Sequence, residues 1–398
     1  MPYYIGDVVK SHEALIARTP EKFESSGVKV MQEVEVTGID YKGGWVEISR
    51  GERKFFDVLV FATGAKVVTP EIEGINQPGV FFLRNLEDAI AIKKWIKDQG
   101  VKRVVILGGG FIGLEMAESL RTAGMQVTIL HRDNLPAKRW NPEFSSWMRD
   151  TLHEKGVEFV PRINVTGIGK KETGNLRVQT TEGDWEAEIV IIAIGVRPEV
   201  SLARSIGVNI GKTGAIAVDF GQRTSLINVY AVGDCTEVFH RVSKKWVHFP
   251  LGDIANKQGR VAGRNIGGRP LVFEGIVGAQ SFRLFDLECA ATGLSEKEAE
   301  EAGFSPISTI VWGSATANAL GRRRLGLQLI ADRASGKLLG AQAVGLAGAV
   351  GRINALSVAL WSGMNLDQIG YLDFAYAPPF GPAWDIVHVA AQTLKRMI

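Results

Sequence analysis

A buried strand that runs into a cluster of glycines and leaves it as a helix restricts what a chain can become. Here Val101–Leu107 is such a strand, Gly108-Gly109-Gly110-Phe111-Ile112-Gly113 follows, and a helical pattern runs from Gly113 to Ala123 before Gly124. A second strand, Gln126–Leu130, ends about twenty residues after the turn opens, as in a dinucleotide-binding unit. Each glycine has a task. Gly108 permits the tight turn, Gly110 lets the backbone approach a pyrophosphate, and Gly113 lets the helix pack close to the strand. The helix start then offers free N–H groups and a positive dipole end to the phosphates. The turn therefore predicts a nicotinamide dinucleotide site. An acid at the end of the second strand would take the ribose 2′-OH. This chain has His131 and Arg132 there, with Lys138 and Arg139 close behind. Cations suit a 2′-phosphate, so NADP(H) is expected. Asp133 is the alternative ribose partner and keeps NAD(H) open.

Elsewhere the pattern is mixed α/β. A helix is expected over Leu86–Gln99, capped by Asn85 with Asp88 three residues on and Gly100 after it. Another is expected over Glu143–Lys155. Strands are expected at Val28–Val36, at Trp45–Ile48 after the Gly43-Gly44 turn, and at Glu188–Ala193. Phe56–Ala62 reads as a strand buried on both faces. The pieces Phe56–Ala65 and Ala187–Val196 resemble each other, as one structural piece used twice. If both copies are built alike, the glycine turn of the first falls before Met1. One complete dinucleotide-binding unit and the rear half of another are expected. Asn228–Asp234 is a short strand ending in Gly-Asp. From Leu271 strand-like runs (Cys289–Thr292, Ile307–Trp312, Leu325–Ile330, Leu338–Val344) precede a helical stretch, Val350–Trp361, which suggests an α+β domain.

Composition excludes several classes. The 398 residues carry a net charge of +3, too little to argue for nucleic acid or an anionic membrane. No apolar run reaches the roughly 18 residues of a bilayer span, and Met1–Asp7 does not read as a signal peptide. The two cysteines, Cys235 and Cys289, are far apart and are read as structural, so a cytoplasmic setting is expected. The six histidines show no metal spacing, and His388, in an apolar helical run, is read as core.

On its residues the chain resembles the flavin-dependent pyridine nucleotide–disulfide oxidoreductases, over essentially its whole length. Asp57–Ala65, with Ala62, Thr63 and Gly64, resembles the family strand ending in Ala-Thr-Gly. Tyr230–Asp234 resembles the motif in which Gly233 precedes an Asp234 that hydrogen-bonds the FAD ribityl chain. Leu251–Gly263, with Leu251 and Ala255, resembles the helix beside the flavin ring. Thr292–Glu296 resembles the start of the dimerisation domain. Tyr376-Ala377-Pro378-Pro379-Phe380 resembles a motif of the branch holding coenzyme A-disulfide reductases, NAD(P)H oxidases and sulfur or persulfide reductases.

The resemblance implies an α/β chain with two Rossmann-like domains, the first incomplete, and a C-terminal α+β dimerisation domain. The FAD domain would span 1–75 and 200–268, the NAD(P) domain 76–199, with Gly195 closing its last strand, and the interface domain 269–398. It implies FAD and NADP(H), a homodimer, and electron transfer to a small-molecule sulfur acceptor: coenzyme A disulfide, persulfide or polysulfide. Oxygen or a ferredoxin-type partner is the alternative acceptor, the Tyr-Ala-Pro-Pro motif speaking against the ferredoxin type. A flavin-free fragment that only binds NADPH and dimerises is the third reading. Tyr376 is implied as a proton donor in a partner's active site, Tyr371 as a weaker candidate. Glu115 is implied near the nicotinamide or flavin, its other reading being a carboxylate that suits the helix start. The family's first FAD turn and its redox cysteine do not occur in the sequence, and the chain is expected to begin late, as a truncated reading frame.

Overall fold

The computed structural model describes residues 1–172 and 174–398. They form two compact units. The first comprises Met1–Lys10, Thr69–Gly195 and Val277–Ile398, the second Ser11–Val68 and Val196–Ile276.

The first unit is built on a parallel five-stranded sheet in the order Val80–Phe82, Ile189–Ile192, Arg103–Leu107, Gln126–Leu130, Val157–Val160. The chain leaves Arg103–Leu107 toward one edge and returns on its other side, so the strand order reverses there. Ligands of open α/β sheets lie beyond the carboxyl ends of strands at such a switch point. Ile106, Ile129 and Ile189–Ile191 are fully buried, as the continuous apolar runs require. The helix Leu86–Gln99 has the expected ends: Asn85 and Asp88 form a reciprocal capping box and Gly100 is left-handed (φ 59°). The helix after the glycine turn starts earlier than expected, at Phe111. Gly110 is extended (φ −83°, ψ −176°) and serves as its N-cap, so Gly113 sits inside the first turn.

The C-terminal part of this unit is an antiparallel sheet in the order Gln280–Leu284, Leu287–Gly293, Leu338–Gly345, Arg324–Asp332, Pro306–Ser314. The helices Ala349–Ser362 and Ile386–Lys395 follow and pack on it. Met1–Lys10 packs on the helices Leu86–Gln99 and Phe111–Thr122, and Lys93 binds both the Tyr4 carbonyl (2.7 Å) and Asp7 (2.9 Å).

In the second unit Val36–Asp40, Trp45–Ile48 and Arg53–Phe55 form an antiparallel meander. Two expectations fail here. Val28–Glu35 is not a strand: Val28 and Met31 are exposed, and Glu33 turns the chain with a left-handed φ of 54°, so the first strand begins at Val36. The strand expected over Phe56–Ala62 contracts to Leu59–Phe61, where Phe61 is buried and Val60 is 40% exposed, so one face is open. It pairs in parallel with Val229–Ala231. The repeated pieces are built alike. Each is a strand that breaks at a left-handed glycine, Gly64 (φ 69°) or Gly195 (φ 116°), before a second short strand. Those short strands, Ala65–Val67 and Val196–Pro198, pair antiparallel with each other.

Candidate cofactor and acceptor sites

In the first unit, the turn is shaped by its backbone. Gly108 has φ 110°, and a Cβ there would overlap the Ala193 carbonyl at the end of the neighbouring strand. A Cβ on Gly113 would overlap the Gly108 carbonyl oxygen. Around Gly110 there is open space for 4 Å, which is where a pyrophosphate must approach. The Gly108 N–H donates to Leu130 (3.0 Å), and the Ala137 N–H donates to Gly109 (2.9 Å). The helix Phe111–Thr122 has neither a side-chain cap nor an acid in its first turn. Its free N–H groups and positive end therefore stand open to an anion. Three other helices of this unit are capped by side chains, from Asn85, Asn141 and Asp385, whereas Ala349–Ser362 also starts without one. These residues fit a dinucleotide.

The cations expected after the second strand divide. His131 is not one of them. Its side chain is 11% exposed, its Nδ1 accepts the Gly109 N–H (3.1 Å), and burial pushes its pKa below the ordinary histidine value. An accepting Nδ1 leaves the proton on Nε2, so the ring is neutral and props the turn. Arg139 does not join the cluster either. Its guanidinium is held by both oxygens of Glu298 (2.8 and 2.9 Å) and by the Gly293 carbonyl (2.8 Å). Arg132 and Lys138 are exposed cations, 3.7 and 3.2 Å from the Asp133 carboxylate.

Glu115 is half-buried on the helix Phe111–Thr122. Burial pushes its pKa up and Glu118 adds to the shift. The Tyr3 hydroxyl is pushed up by its own burial and then by both carboxylates.

In the second unit, Ala62-Thr63-Gly64 and Gly233-Asp234 come together at the ends of the paired strands; the Val232 N–H donates to Phe61 (2.9 Å). Thr63 Oγ1 donates to the Glu199 carbonyl (2.6 Å), tying down the Gly64 turn. Gly233 is left-handed (φ 79°), and Ala255 lies 3.4 Å from where its Cβ would be. The helix Gly252–Ile266 begins after Leu251 with no side-chain cap, though with Asp253 in its first turn, paired to Lys257. Two glycine turns at adjacent strand ends, beside a helix start without a side-chain cap, fit an anionic, hydroxyl-bearing cofactor such as FAD.

Two residues that the sequence did not single out hold this turn. Gln258 Oε1 accepts the Gly233 N–H (2.8 Å) while its Nε2 donates to Thr236 Oγ1 (3.1 Å). His248 Nε2 donates to the Asp234 carbonyl (2.8 Å). Gln258 had a signal: it shares the buried stripe of its helix with Ile254, Val261 and Ala262, and a polar residue there needs partners. His248 had none. Both cysteines are buried, and burial pushes both thiols up, so neither is a reactive thiolate.

Tyr371 and Tyr376 lie on the segment between the last two long helices. They are 75% and 58% exposed, and the Tyr371 ring meets Trp384 edge-on at 6.4 Å. Among the described residues no group of three or more His, Cys, Asp or Glu could hold a metal, and no helix is long and apolar enough to cross a membrane.

A family profile for the pyridine nucleotide-disulphide oxidoreductases matches residues 4–259, and the dimerisation-domain profile of the same family matches residues 279–386. The chain is 36% identical to an NAD(P)H coenzyme A polysulfide/persulfide reductase of Pyrococcus horikoshii, over 98% of this chain and 88% of that protein. It is 32% identical to an NADH oxidase of Methanocaldococcus jannaschii, over 100% of this chain and 90% of that protein. The solved structure of an NAD-dependent persulfide reductase from A. fulgidus superposes with a TM-score of 0.95 at 36% identity, covering 100% of this chain and 75% of that one. The chain belongs to the pyridine nucleotide-disulphide oxidoreductase family.

Proposed function

We propose that this family member carries electrons from NADPH through FAD to the sulfur–sulfur bond of a coenzyme A-linked disulfide, persulfide or polysulfide. The observation that carries the reading is the pair of open helix starts, Phe111 and Gly252, each packed beside a glycine of positive φ. Gly108, Gly110 and Gly113 would hold the NADP(H) pyrophosphate, with Gly195 at the neighbouring strand end. Arg132 and Lys138 would meet the 2′-phosphate. Ala62, Thr63, Gly64, Gly233, Asp234, Leu251 and Ala255 would hold FAD. Bound FAD supplies two-electron transfer between the nicotinamide and the acceptor. The chain's own residues bind, orient and supply protons. The reaction balances as NADPH + H⁺ + RSSR′ → NADP⁺ + RSH + R′SH, and with a persulfide one product is H₂S. Tyr376 is the donor we assign to the departing thiolate. Glu115, whose pKa burial pushes up, is assigned to the nicotinamide side. The dimerisation-domain match supports a second copy of the chain as partner, and the buried, unpaired thiols support a cytoplasmic setting.

The identity to persulfide and polysulfide reductases supports the sulfur acceptor. Oxygen is the second reading, favoured by the burial of both cysteines and by the identity to an NADH oxidase. Turnover of purified protein with coenzyme A disulfide, coenzyme A persulfide, polysulfide and oxygen separates them. Faster NADPH oxidation with a sulfur acceptor than with oxygen supports the first reading. Equal rates with and without the sulfur compounds in air, and none without air, would remove it.

A further inference from the structure

The segment Tyr371–Trp384 has no helix or strand of its own, yet the structure ties it down at three carbonyls. His388, on the helix Ile386–Lys395, donates from Nε2 to the Leu372 carbonyl (2.8 Å). Its ring stacks on Phe374 (centroids 4.9 Å apart, planes at 22°) and meets Trp384 edge-on at 5.9 Å. The Ala317 N–H donates to the Pro378 carbonyl (2.8 Å). Arg352, on the helix Ala349–Ser362, donates to the Phe380 carbonyl (3.1 Å) and is locked by Asp385 (2.7 and 3.1 Å), which also caps the helix of His388. The two charged side chains are 12% and 15% exposed, so the pair is well shielded and its geometry is stiff. Tyr376 stands between the first two ties with its ring in the open. A segment that shows exposed aromatic rings, Tyr376 among them, while its backbone is fastened at three carbonyls holds those rings in fixed places.

We infer that His388 and Arg352 are positioning residues for Tyr376, and that His388 acts through its Nε2–H and not merely as apolar filling. A carbonyl only accepts, so the bond to Leu372 requires the proton on Nε2. The inference rests on the reading that Tyr376 serves the sulfur acceptor. A small shift of a proton donor costs a large factor in rate, whereas transfer from NADPH to an artificial electron acceptor does not use the donor.

The test uses the full chain with FAD. His388→Phe keeps the ring and loses the donor; His388→Gln keeps a donor. We expect His388→Phe to lower kcat with the sulfur acceptor about tenfold and His388→Gln to stay within about threefold of the parent. NADPH-driven ferricyanide reduction stays at the parent rate in both. In a Tyr376→Phe background, His388→Phe adds less than about twofold, because coupled residues are not additive. Independently of turnover, amide hydrogen exchange over 371–384 rises in His388→Phe while that of Phe111–Thr122 does not. Unchanged exchange over the segment overturns the inference, as does an equal rate loss with and without the Tyr376 hydroxyl. If Tyr376→Phe itself turns over at the parent rate, the tyrosine assignment fails first and takes the inference with it.

Discussion

At the Gly108–Gly113 turn the backbone makes the shape, whereas at Gly233–Asp234 side chains make it. In the first, Gly108 and Gly113 are squeezed against carbonyl groups that no Cβ could share. In the second, Gly233 has room around it, and Gln258 and His248 hold the turn instead. The first runs into an uncapped helix start, and the second packs beside one. Steric shape survives any change that leaves the glycines alone. A side-chain brace can be removed by one substitution at a distance.

The largest effect is expected from Gly113→Ala. The new methyl would overlap the Gly108 carbonyl, so NADPH affinity should fall more than about a hundredfold and the melting temperature should drop. Gly110→Ala sharpens the same point, because nothing lies within 4 Å of its Cβ. It should weaken NADPH binding strongly with little change in melting temperature, seen by calorimetry and nucleotide titration together. At the other turn, Gln258→Leu leaves the Gly233 N–H without its partner, while the Thr236 hydroxyl keeps the Gly233 carbonyl. A loss of about 1–3 kcal/mol is expected, with flavin retention falling and NADPH affinity unchanged. Equal damage to both affinities would erase the distinction between the two turns.

Smaller effects come from the rim. Arg132→Ala should cut the NADPH over NADH preference in kcat/KM by about tenfold, since a charge-assisted bond to phosphate is lost. No change in the ratio would leave Asp133 as the ribose partner and NADH as the natural donor. The mildest effect is on pH. The pKa of His131 is lowered in the folded chain, so the unfolded state binds the extra proton first. Its stabilising contribution is therefore complete above the ordinary value of 6.5 and is lost as the pH falls below it. Protonation of the folded chain, which comes at a lower pH because the pKa is lowered, also cancels the bond from Gly109, so NADPH affinity should weaken there. His131→Asn, which keeps an acceptor without titrating, should flatten that part of the profile.

Much of this was legible in the residues. The glycine spacing located the tight turn between a buried strand and a helix, and Asn85, Asp88 and Gly100 marked both ends of their helix, because those are local rules of backbone and cap. The doubled Phe56–Ala65 piece correctly announced two similar strand ends. What failed depended on neighbours in space. Val28–Glu35 has the composition of a strand but finds no sheet to bury it. His131 looked cationic beside Arg132, yet burial and one backbone donor make it neutral. Arg139 looked free until Glu298, 159 residues away, took it. His388 was read as core, which it is, but its bond to Leu372 gives that burial a second purpose.

The proposed reaction passes electrons from NADPH through a bound flavin to sulfur. The direct measurement is an anaerobic spectral titration of the purified protein. The account predicts visible flavin bands that bleach on addition of NADPH, more readily than with NADH, and that return when coenzyme A persulfide or disulfide is added. A protein that binds NADPH but shows no flavin bands, or bands that bleach and do not return with any sulfur acceptor, would contradict it.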